Sequence, residues 1–253
     1  MFAVERQKRI IEALKSDGSV WVSKLSQELG VTEETVRRDL EKLEKQEALV
    51  RTHGGAIPIV ESNREMSLEK RKHLNADAKE KLAKEAVKYI LPGDTVFLDA
   101  STTTFYMAKE LKNLKDVTIV TNSIRIVAEL AGTANLKVIS VGGLVSANQS
   151  FVGTLATNYI NENCYANKVF FSSRGTTPSG GILDSNEQEW AIKQAMINNA
   201  DTKFYLCDKS KIGRVGFVKL ADFSEIDYFI SEKGFDEKLR SMLEEAEVDV
   251  IAV

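Results

Sequence analysis

Cysteine and histidine are nearly missing from this 253-residue chain, which has two of each: Cys164, Cys207, His53 and His73. There is no CxxC pair and no cysteine beside a histidine, so the ligand set for a zinc or iron–sulfur centre is not there. The two cysteines lie in separate segments and are expected as free thiols in a reducing compartment. No apolar run approaches the roughly 18–20 residues that span a bilayer. Residues 1–6 lack the apolar stretch of a signal peptide. The expectation is therefore a cytoplasmic protein with no membrane partner, no metal and no cofactor. An excess of one charge is also lacking. Against 34 Lys and Arg stand 37 Asp and Glu, a formal net charge of −3. That average gives no electrostatic footprint for nucleic acid. Residues 1–60 carry ten basic and ten acidic side chains, so the whole negative excess lies in the remainder. With 43% hydrophobic and 28% charged residues, disorder is excluded as the dominant state, and one large or two ordinary domains are expected. There is no internal repeat and no low-complexity segment.

What is present divides into two textures. Over residues 4–14, Ile10, Ile11 and Leu14 recur at helical spacing, and Asp17-Gly18-Ser19 ends that run. Val22, Leu25 and Leu29 mark a short second helix, broken after Gly30. Thr32 is a good N-cap, followed by Glu33 and Glu34 where a helix dipole favours acid. Val36, Leu40 and Leu43 form the apolar stripe of a third helix. Residues 49–53 then read as a strand, Gly54-Gly55 as a turn and residues 56–59 as the returning strand. The charged, unpatterned stretch that follows reads as a linker. Beyond it comes a helix over 76–90, ended by Pro92-Gly93. From residue 94 onward, β-rich runs at 95–98, 117–121, 136–141, 168–171, 203–206, 228–230 and 248–253 alternate with helical patterns at 103–111, 124–131, 151–161, 186–199 and 236–246. That rhythm predicts a mostly parallel sheet covered by helices, an α/β Rossmann-like domain. The expected organisation is an α+β winged helix-turn-helix domain over 1–59, a linker over 60–75 and an α/β domain over 76–253.

The third helix carries the first candidate site. With Val36 at the centre of the buried face and 100° per residue, Leu40 and Leu43 lie within about 40° of it. Thr35, Arg38, Lys42 and Lys45 fall on the far side. A hydroxyl and three cations on one exposed face suit a helix in a major groove, where Arg reads guanine edges and Lys meets phosphates. Thr32 opens this helix. Arg37 lies to the side, between Glu33 and Glu41 at i−4 and i+4, and two readings stay open: DNA contact or surface ion pairs. On the hairpin, Arg51 and His53 precede Gly54, whose missing side chain lets the backbone approach a phosphate. The bland alternative is a solvated charged helix; the helix-turn-helix-wing outline favours DNA.

The second candidate site starts at Asp99-Ala100-Ser101-Thr102-Thr103-Thr104, between a predicted strand and a predicted helix. Helix N-termini offer free N–H groups and a positive dipole end to an anion, and the hydroxyls add donors. A phosphate cradle and an unliganded Ser/Thr N-cap both fit this run taken alone. Four more polar groups follow predicted strands: Thr121-Asn122-Ser123, Gly142-Gly143, Ser173-Arg174-Gly175 and Asp208-Lys209-Ser210-Lys211. In a doubly wound sheet such loops converge at one edge. Lys211 and Arg174 offer charge to a phosphate, while Asp99, Asn122 and Asp208 suit sugar hydroxyls. For Arg174, pairing with Asp184 or Glu187 is the alternative.

Three stretches of the first sixty residues carry a resemblance: Glu5-Arg6, the run from Val31 through Thr-Val-Arg-Arg-Asp to Leu40, and Arg51-Thr52-His53-Gly54-Gly55-Ala56. Together they resemble the DeoR family of bacterial transcriptional regulators. The likeness extends over nearly the whole chain through Asp99 and Thr102 to Thr104, Val120 to Ser123, Val141 to Gly143, Phe151 to Gly153, and Asp208 to Lys211. It implies a regulator, more often a repressor, of carbohydrate catabolic genes. It further implies double-stranded operator DNA as one partner, a phosphorylated sugar as effector, and a homo-oligomer, dimer or tetramer. The sensor domain of that family is similar to ribose-5-phosphate isomerases. Two departures stand out. Ser101 occupies a position where the family has glycine, and the run 172–177 differs from the usual small apolar one. The alternative reading is a sugar-phosphate isomerase-like enzyme with an accessory DNA domain. It would need a carboxylate base such as Asp99, Asp184 or Asp208. No catalytic residues are assigned.

Overall fold

The computed structural model describes residues 3–17, 20–46, 48–52, 54–58 and 67–253. The chain divides into two compact units, 1–62 and 63–253. Among the described residues, no helix is long and apolar enough to cross a membrane.

The first unit runs α1 (Ala3–Asp17), β1 (Val20–Trp21), α2 (Val22–Leu29), α3 (Glu33–Lys45), β2 (Leu49–Thr52) and β3 (Gly55–Pro58). The helical stripes read from the sequence pack together: Ile10, Leu14, Val22, Leu25, Val36, Leu40 and Leu43 are all buried in one cluster. The turn from α2 to α3 works because Gly30 takes the left-handed conformation at φ 62° and Thr32 caps α3 by accepting from the Thr35 amide. The hairpin pairs β2 with β3, and β1, too short to carry a strand pattern, adds a third antiparallel strand on β3. Asp39 sits on the buried face of α3, 2% exposed. It accepts from the Arg6 guanidinium and, at 3.0 Å, from the Gln7 amide, which ties α1 to α3.

The second unit opens with α4 (Leu68–His73) and α5 (Ala76–Ala86), then alternates: β4 (Thr95–Leu98), α6 (Thr102–Leu111), β5 (Val117–Thr121), α7 (Ile124–Leu130) and β6 (Leu136–Ser140). A small hairpin follows, β7 (Leu144–Val145) with β8 (Phe151–Val152), then α8 (Thr154–Asn163) and β9 (Ala166–Phe171). Next come β10 (Gly175–Thr177), β11 (Gly181–Asp184), α9 (Glu187–Asn198), β12 (Ala200–Leu206), β13 (Val218–Ala221), β14 (Tyr228–Ser231), α10 (Glu237–Glu245) and β15 (Asp249–Ala252). Seven strands form one sheet in the order β15-β14-β12-β9-β4-β5-β6. Every pairing in it is parallel. One apolar cluster lies on each face. Phe97, Val169 and Phe171 belong to one, and Leu98, Phe170 and Phe204 to the other, as expected of strands buried on both sides.

Three sequence expectations are corrected. Residues 68–73, placed in the linker, are helical and belong to the second unit. Their sole buried apolar side chain is Leu68, too little to give a periodic signal. The helix expected over 151–161 begins only at Thr154, because Phe151 and Val152 pair back onto β7. A three-stranded antiparallel sheet, β10-β11-β13, stands beside the main one and had no pattern in the Gly- and Thr-rich sequence that forms it.

Strand order reverses between β4 and β9: β4 leads to β5 and β6 on one side, while β9 leads to β12, β14 and β15 on the other. The chain therefore parts at the carboxyl ends of β4 and β9. Open α/β sheets bind ligands in the crevice that such a reversal leaves.

Candidate functional site

On α3, Thr35 is half-buried, and Arg38, Lys42 and Lys45 are exposed together as the helical geometry requires. Most of these cations are held by a glutamate one turn earlier: Arg38 by Glu34 at 3.4 Å and Lys45 by Glu41 at 2.7 Å. Arg37, left open by the sequence, pairs with Glu33 at 2.6 Å. Thr32 is engaged as the helix cap and shares a hydroxyl hydrogen bond with Thr35 at 2.9 Å. Arg51 lies 3.9 Å from Glu44. Gly54 lies against the Trp21 ring, 3.2 Å from where a Cβ would sit, so its lack of a side chain is used in packing. His53 lies outside the described residues. These surface pairs are weak and exchangeable in water, so phosphates and base edges can compete for the same cations.

In the second unit a cavity opens at the β4/β9 crevice. Ala100, Ser101 and Thr102 line it at the N-terminus of α6, whose first-turn amides lack intrahelical acceptors. Ser101 caps the helix, accepting from the Thr104 amide at 3.2 Å. It does so at φ −68° and ψ 159°, an extended conformation that needs no glycine. Asp99 is completely buried and holds the loop rather than the cavity. It accepts from the Ser101 amide at 3.2 Å, from the Thr104 hydroxyl at 2.8 Å and from the Ser172 amide at 3.2 Å. The last of these joins the ends of β4 and β9.

Lys193 of α9 is the centre of this junction. Its ammonium, buried beside Asp99 at 3.2 Å and Asp184 at 2.6 Å, also donates to the Ser172 carbonyl at 2.7 Å. Burial alone would lower its pKa, but Asp184 and Asp99 outweigh that and raise it. Lys211 donates to the Ser172 hydroxyl at 2.6 Å and lies 3.8 Å from Asp208. Its pKa is lowered, burial being the largest cause, with Asp208 opposing. Burial works to raise the Asp208 carboxyl, yet Lys211, Ser210, Lys79 and Asn75 together hold it below the usual carboxylate range. Glu189 moves the other way: burial raises it, against hydrogen bonds from Ser150 and Ser146 and the charge of Lys193.

The cavity lining carries six cations, Arg71, Lys79, Arg174, Lys193, Lys211 and Arg214, against three carboxylates, Asp184, Glu189 and Asp208. Of the residues picked from the sequence, Ser101, Thr102, Arg174, Asp208 and Lys211 line it. The others lie outside that lining. Thr103 and Thr104 are fully buried behind the helix start. Thr121 donates to the Leu98 carbonyl at 2.7 Å, Asn122 donates to the Phe151 carbonyl at 3.2 Å, and Ser123 caps α7. Gly142 and Gly143 lead into the β7 hairpin, where a Cβ on Gly143 would come within 2.8 Å of the Val152 carbonyl. Gly175 is needed for the close approach of Arg214, whose carbonyl would lie 2.4 Å from an added Cβ. Arg174 has no ion-pair partner among the described residues, because Asp184 is taken by Lys193. Sequence reasoning missed Arg71, Asn75, Lys79, Glu189, Lys193 and Arg214. Glu189 and Lys193 had a readable signal: they stand four apart on the same side of α9 as buried Ile192 and Met196. None of the three aspartates considered as an isomerase base is free. Asp99 and Asp184 share Lys193, and Asp208 takes Ser210, Asn75 and Lys211.

Residues 6–62 match the DeoR-like helix-turn-helix domain, and residues 74–233 match the DeoR C terminal sensor domain. The chain belongs to the DeoR family. Its curated relatives are transcriptional regulators rather than enzymes. An uncharacterized HTH-type transcriptional regulator of Bacillus subtilis, YulB, is 40% identical over 100% of this chain and 98% of its own length. The L-fucose operon activator of Haemophilus influenzae is 32% identical over 96% and 97% of the two chains. The B. subtilis HTH-type transcriptional repressor GlcR is 31% identical over 92% and 90%. Among solved structures, a D-ribose-5-phosphate isomerase in complex with phospho-erythronic acid covers 54% of each chain at 16% identity and a TM-score of 0.41. That likeness is too low to carry weight. The DeoR-family member described here thus has a helix-turn-helix DNA-binding unit followed by an effector-sensing unit.

Proposed function

We propose that this regulator represses a carbohydrate catabolic operon and that a phosphorylated sugar, bound in the cavity of the second unit, modulates its hold on operator DNA. The observation that carries the reading is the cavity at the β4/β9 reversal, where a helix N-terminus with two hydroxyls faces six cations. A phosphate dianion is the ligand that such a lining stabilises. Asp208 and Glu189 in the same lining suit the hydroxyls of a sugar. Relatives whose names refer to fucose and aga operons agree with a carbohydrate class. In this reading Ser101, Thr102, Arg174, Asp208 and Lys211 touch the effector. Asp99, Thr103, Thr104, Thr121, Asn122, Ser123, Gly142, Gly143 and Gly175 shape the loops around it. DNA is read by Thr35, Arg38, Lys42 and Lys45, with Arg51, His53 and Gly54 on the wing, while Thr32 and Arg37 position the helix. The protein acts in the cytoplasm as at least a dimer, since helix-turn-helix proteins read paired half-sites. The exposed Leu144, Val145 and Leu155 offer apolar surface for self-association.

Two variants separate the functions. Arg38→Ala is expected to lose specific DNA binding while keeping thermal stabilisation by sugar phosphates. Lys211→Met is expected to keep DNA binding and lose the stabilisation. Unchanged operator affinity in the first, or unchanged stabilisation in the second, overturns the corresponding assignment.

A further inference from the structure

One wall of the cavity comes from the stretch of sensor chain that follows the DNA-binding unit most closely in sequence. Residues 67–79 comprise α4, the turn at Leu74–Asn75 and the first turn of α5. Arg71, Leu74, Asn75 and Lys79 from this stretch line the cavity. Polar side chains, more than apolar contact, hold the stretch down. The Arg71 guanidinium donates to Asn148 at 2.6 Å, and Tyr106 donates to the Lys72 carbonyl at 3.3 Å. Asn75, in the left-handed region at φ 53°, donates to Asp208 at 3.0 Å and to Ser210 at 2.7 Å. Lys79 closes the C-terminus of α4 by donating to the Arg71 and Leu74 carbonyls, both at 2.5 Å.

Positive charge is crowded around this wall. Burial, Lys211, Arg71 and Arg125 all press against the Lys79 ammonium, with Asp208 opposing, and bring its pKa down to about 8. Arg125, whose nearest charges include Arg71 and Glu69, stacks on the Phe105 ring at 4.4 Å. Its three guanidinium nitrogens are buried without a hydrogen-bond partner among the described residues. Like charges gathered this closely repel, and buried donors without acceptors are costly. An anion in the cavity relieves the repulsion, and a segment held by a few polar contacts belongs to the low-stability part of a fold.

We propose that Arg71 and Asn75 recognise the effector and that a phosphate lodged beside them locks residues 67–79 in place, which is how occupancy of the cavity reaches the DNA-binding unit preceding them in the chain. The inference rests on the anion-binding reading of the cavity given above. It places effector recognition and coupling on the same residues, so ligand and linkage share one free energy.

The test is hydrogen exchange on the full chain with and without inorganic phosphate, with thermal unfolding measured in parallel. Phosphate is expected to raise the melting temperature. It should also slow exchange of the Arg71, Leu74 and Lys79 amides, which bond to the Ser67, Lys70 and Asn75 carbonyls, by about fivefold or more, with the β12 amides unchanged. Stabilisation without slowing at those three amides overturns this inference and leaves the anion site standing. Absence of both overturns the anion site and this inference with it. Asn75→Gly keeps the left-handed backbone and removes the side chain; it is expected to weaken stabilisation by phosphate and lose the slowing at residue 71. Arg71→Met is expected to weaken stabilisation as well. Wild-type behaviour in both variants overturns the assignment of these residues.

Discussion

Replacing Lys193 by methionine is expected to be among the most damaging single changes in the sensor unit, although methionine keeps an unbranched side chain only one atom shorter. Lys193 is 6% exposed. It serves Asp184 at 2.6 Å, Asp99 at 3.2 Å and the Ser172 carbonyl at 2.7 Å. Removing one partner of a buried ion pair costs about 3–5 kcal/mol, because the remaining charge stays desolvated without compensation. Here one cation compensates two carboxylates, so the upper end of that range applies. Typical domains have only about 5–15 kcal/mol in total. Urea unfolding followed by Trp190 fluorescence reads the loss directly. Trp190 is half-buried on α9, with its indole nitrogen donating to the Lys219 carbonyl at 2.8 Å. The midpoint should fall without a change in slope. Combining Lys193→Met with Asp184→Asn removes one stranded charge, so the double variant should lose less than the two singles add up to, by about 1–3 kcal/mol. A loss below about 1 kcal/mol in Lys193→Met, or strict additivity in the double variant, refutes the reasoning.

Affinity for a sugar phosphate should fall as pH rises through 8, because the Lys79 ammonium, pressed down to about 8 by burial, Lys211, Arg71 and Arg125 against Asp208, loses its charge there. The phosphate's own second pKa lies near 6, so its ionisation is nearly complete by about pH 7. Calorimetric titration in buffers of different protonation enthalpy should show proton uptake near pH 8, and Lys79→Met should abolish it; a flat affinity from about pH 7 to 9 sinks the assignment. The same depressed pKa means that the folded chain binds fewer protons than the unfolded one between pH 8 and about 10.5, so the Lys79 contribution to stability rises with pH across that window. Gly175→Ala places a Cβ 2.4 Å from the Arg214 carbonyl. Moving that backbone should cost about 1–3 kcal/mol, seen as a melting temperature several degrees lower; an unchanged melting temperature contradicts the close approach.

Much of the architecture was legible because it depends on short-range pattern. The five inner strands of the main sheet are buried over most of their length and announce themselves as apolar runs, the edge strands β6 and β15 are partly exposed, and strand ends are displaced by at most three residues. The stripe of Val36, Leu40 and Leu43 oriented α3 correctly, and the exposed cations followed from it. The antiparallel sheet was not legible, since β10 is Gly175-Thr176-Thr177 and looks like loop. The wall over the cavity was hidden for a different reason. Asn75 meets Asp208 across 133 residues, and no local period records such a contact. Strand-end loops converged as expected, but only some of them face the cavity. Asp99, Thr104 and Thr121 spend their polar groups on holding the loops, which residue type alone does not reveal. Asp39, an acid beside the apolar stripe of α3, was, like Lys193 on α9, an overlooked signal that pointed to a buried partner, and Arg6 is that partner.

Coupling between effector and operator is measured by fluorescence anisotropy of the full chain with DNA from upstream of its own gene, at fixed salt, with and without a panel of sugar phosphates. One phosphate should shift the DNA affinity by about tenfold, about 1.4 kcal/mol of coupling. DNA binding that stays constant while sugar phosphates bind and stabilise the same protein would contradict it.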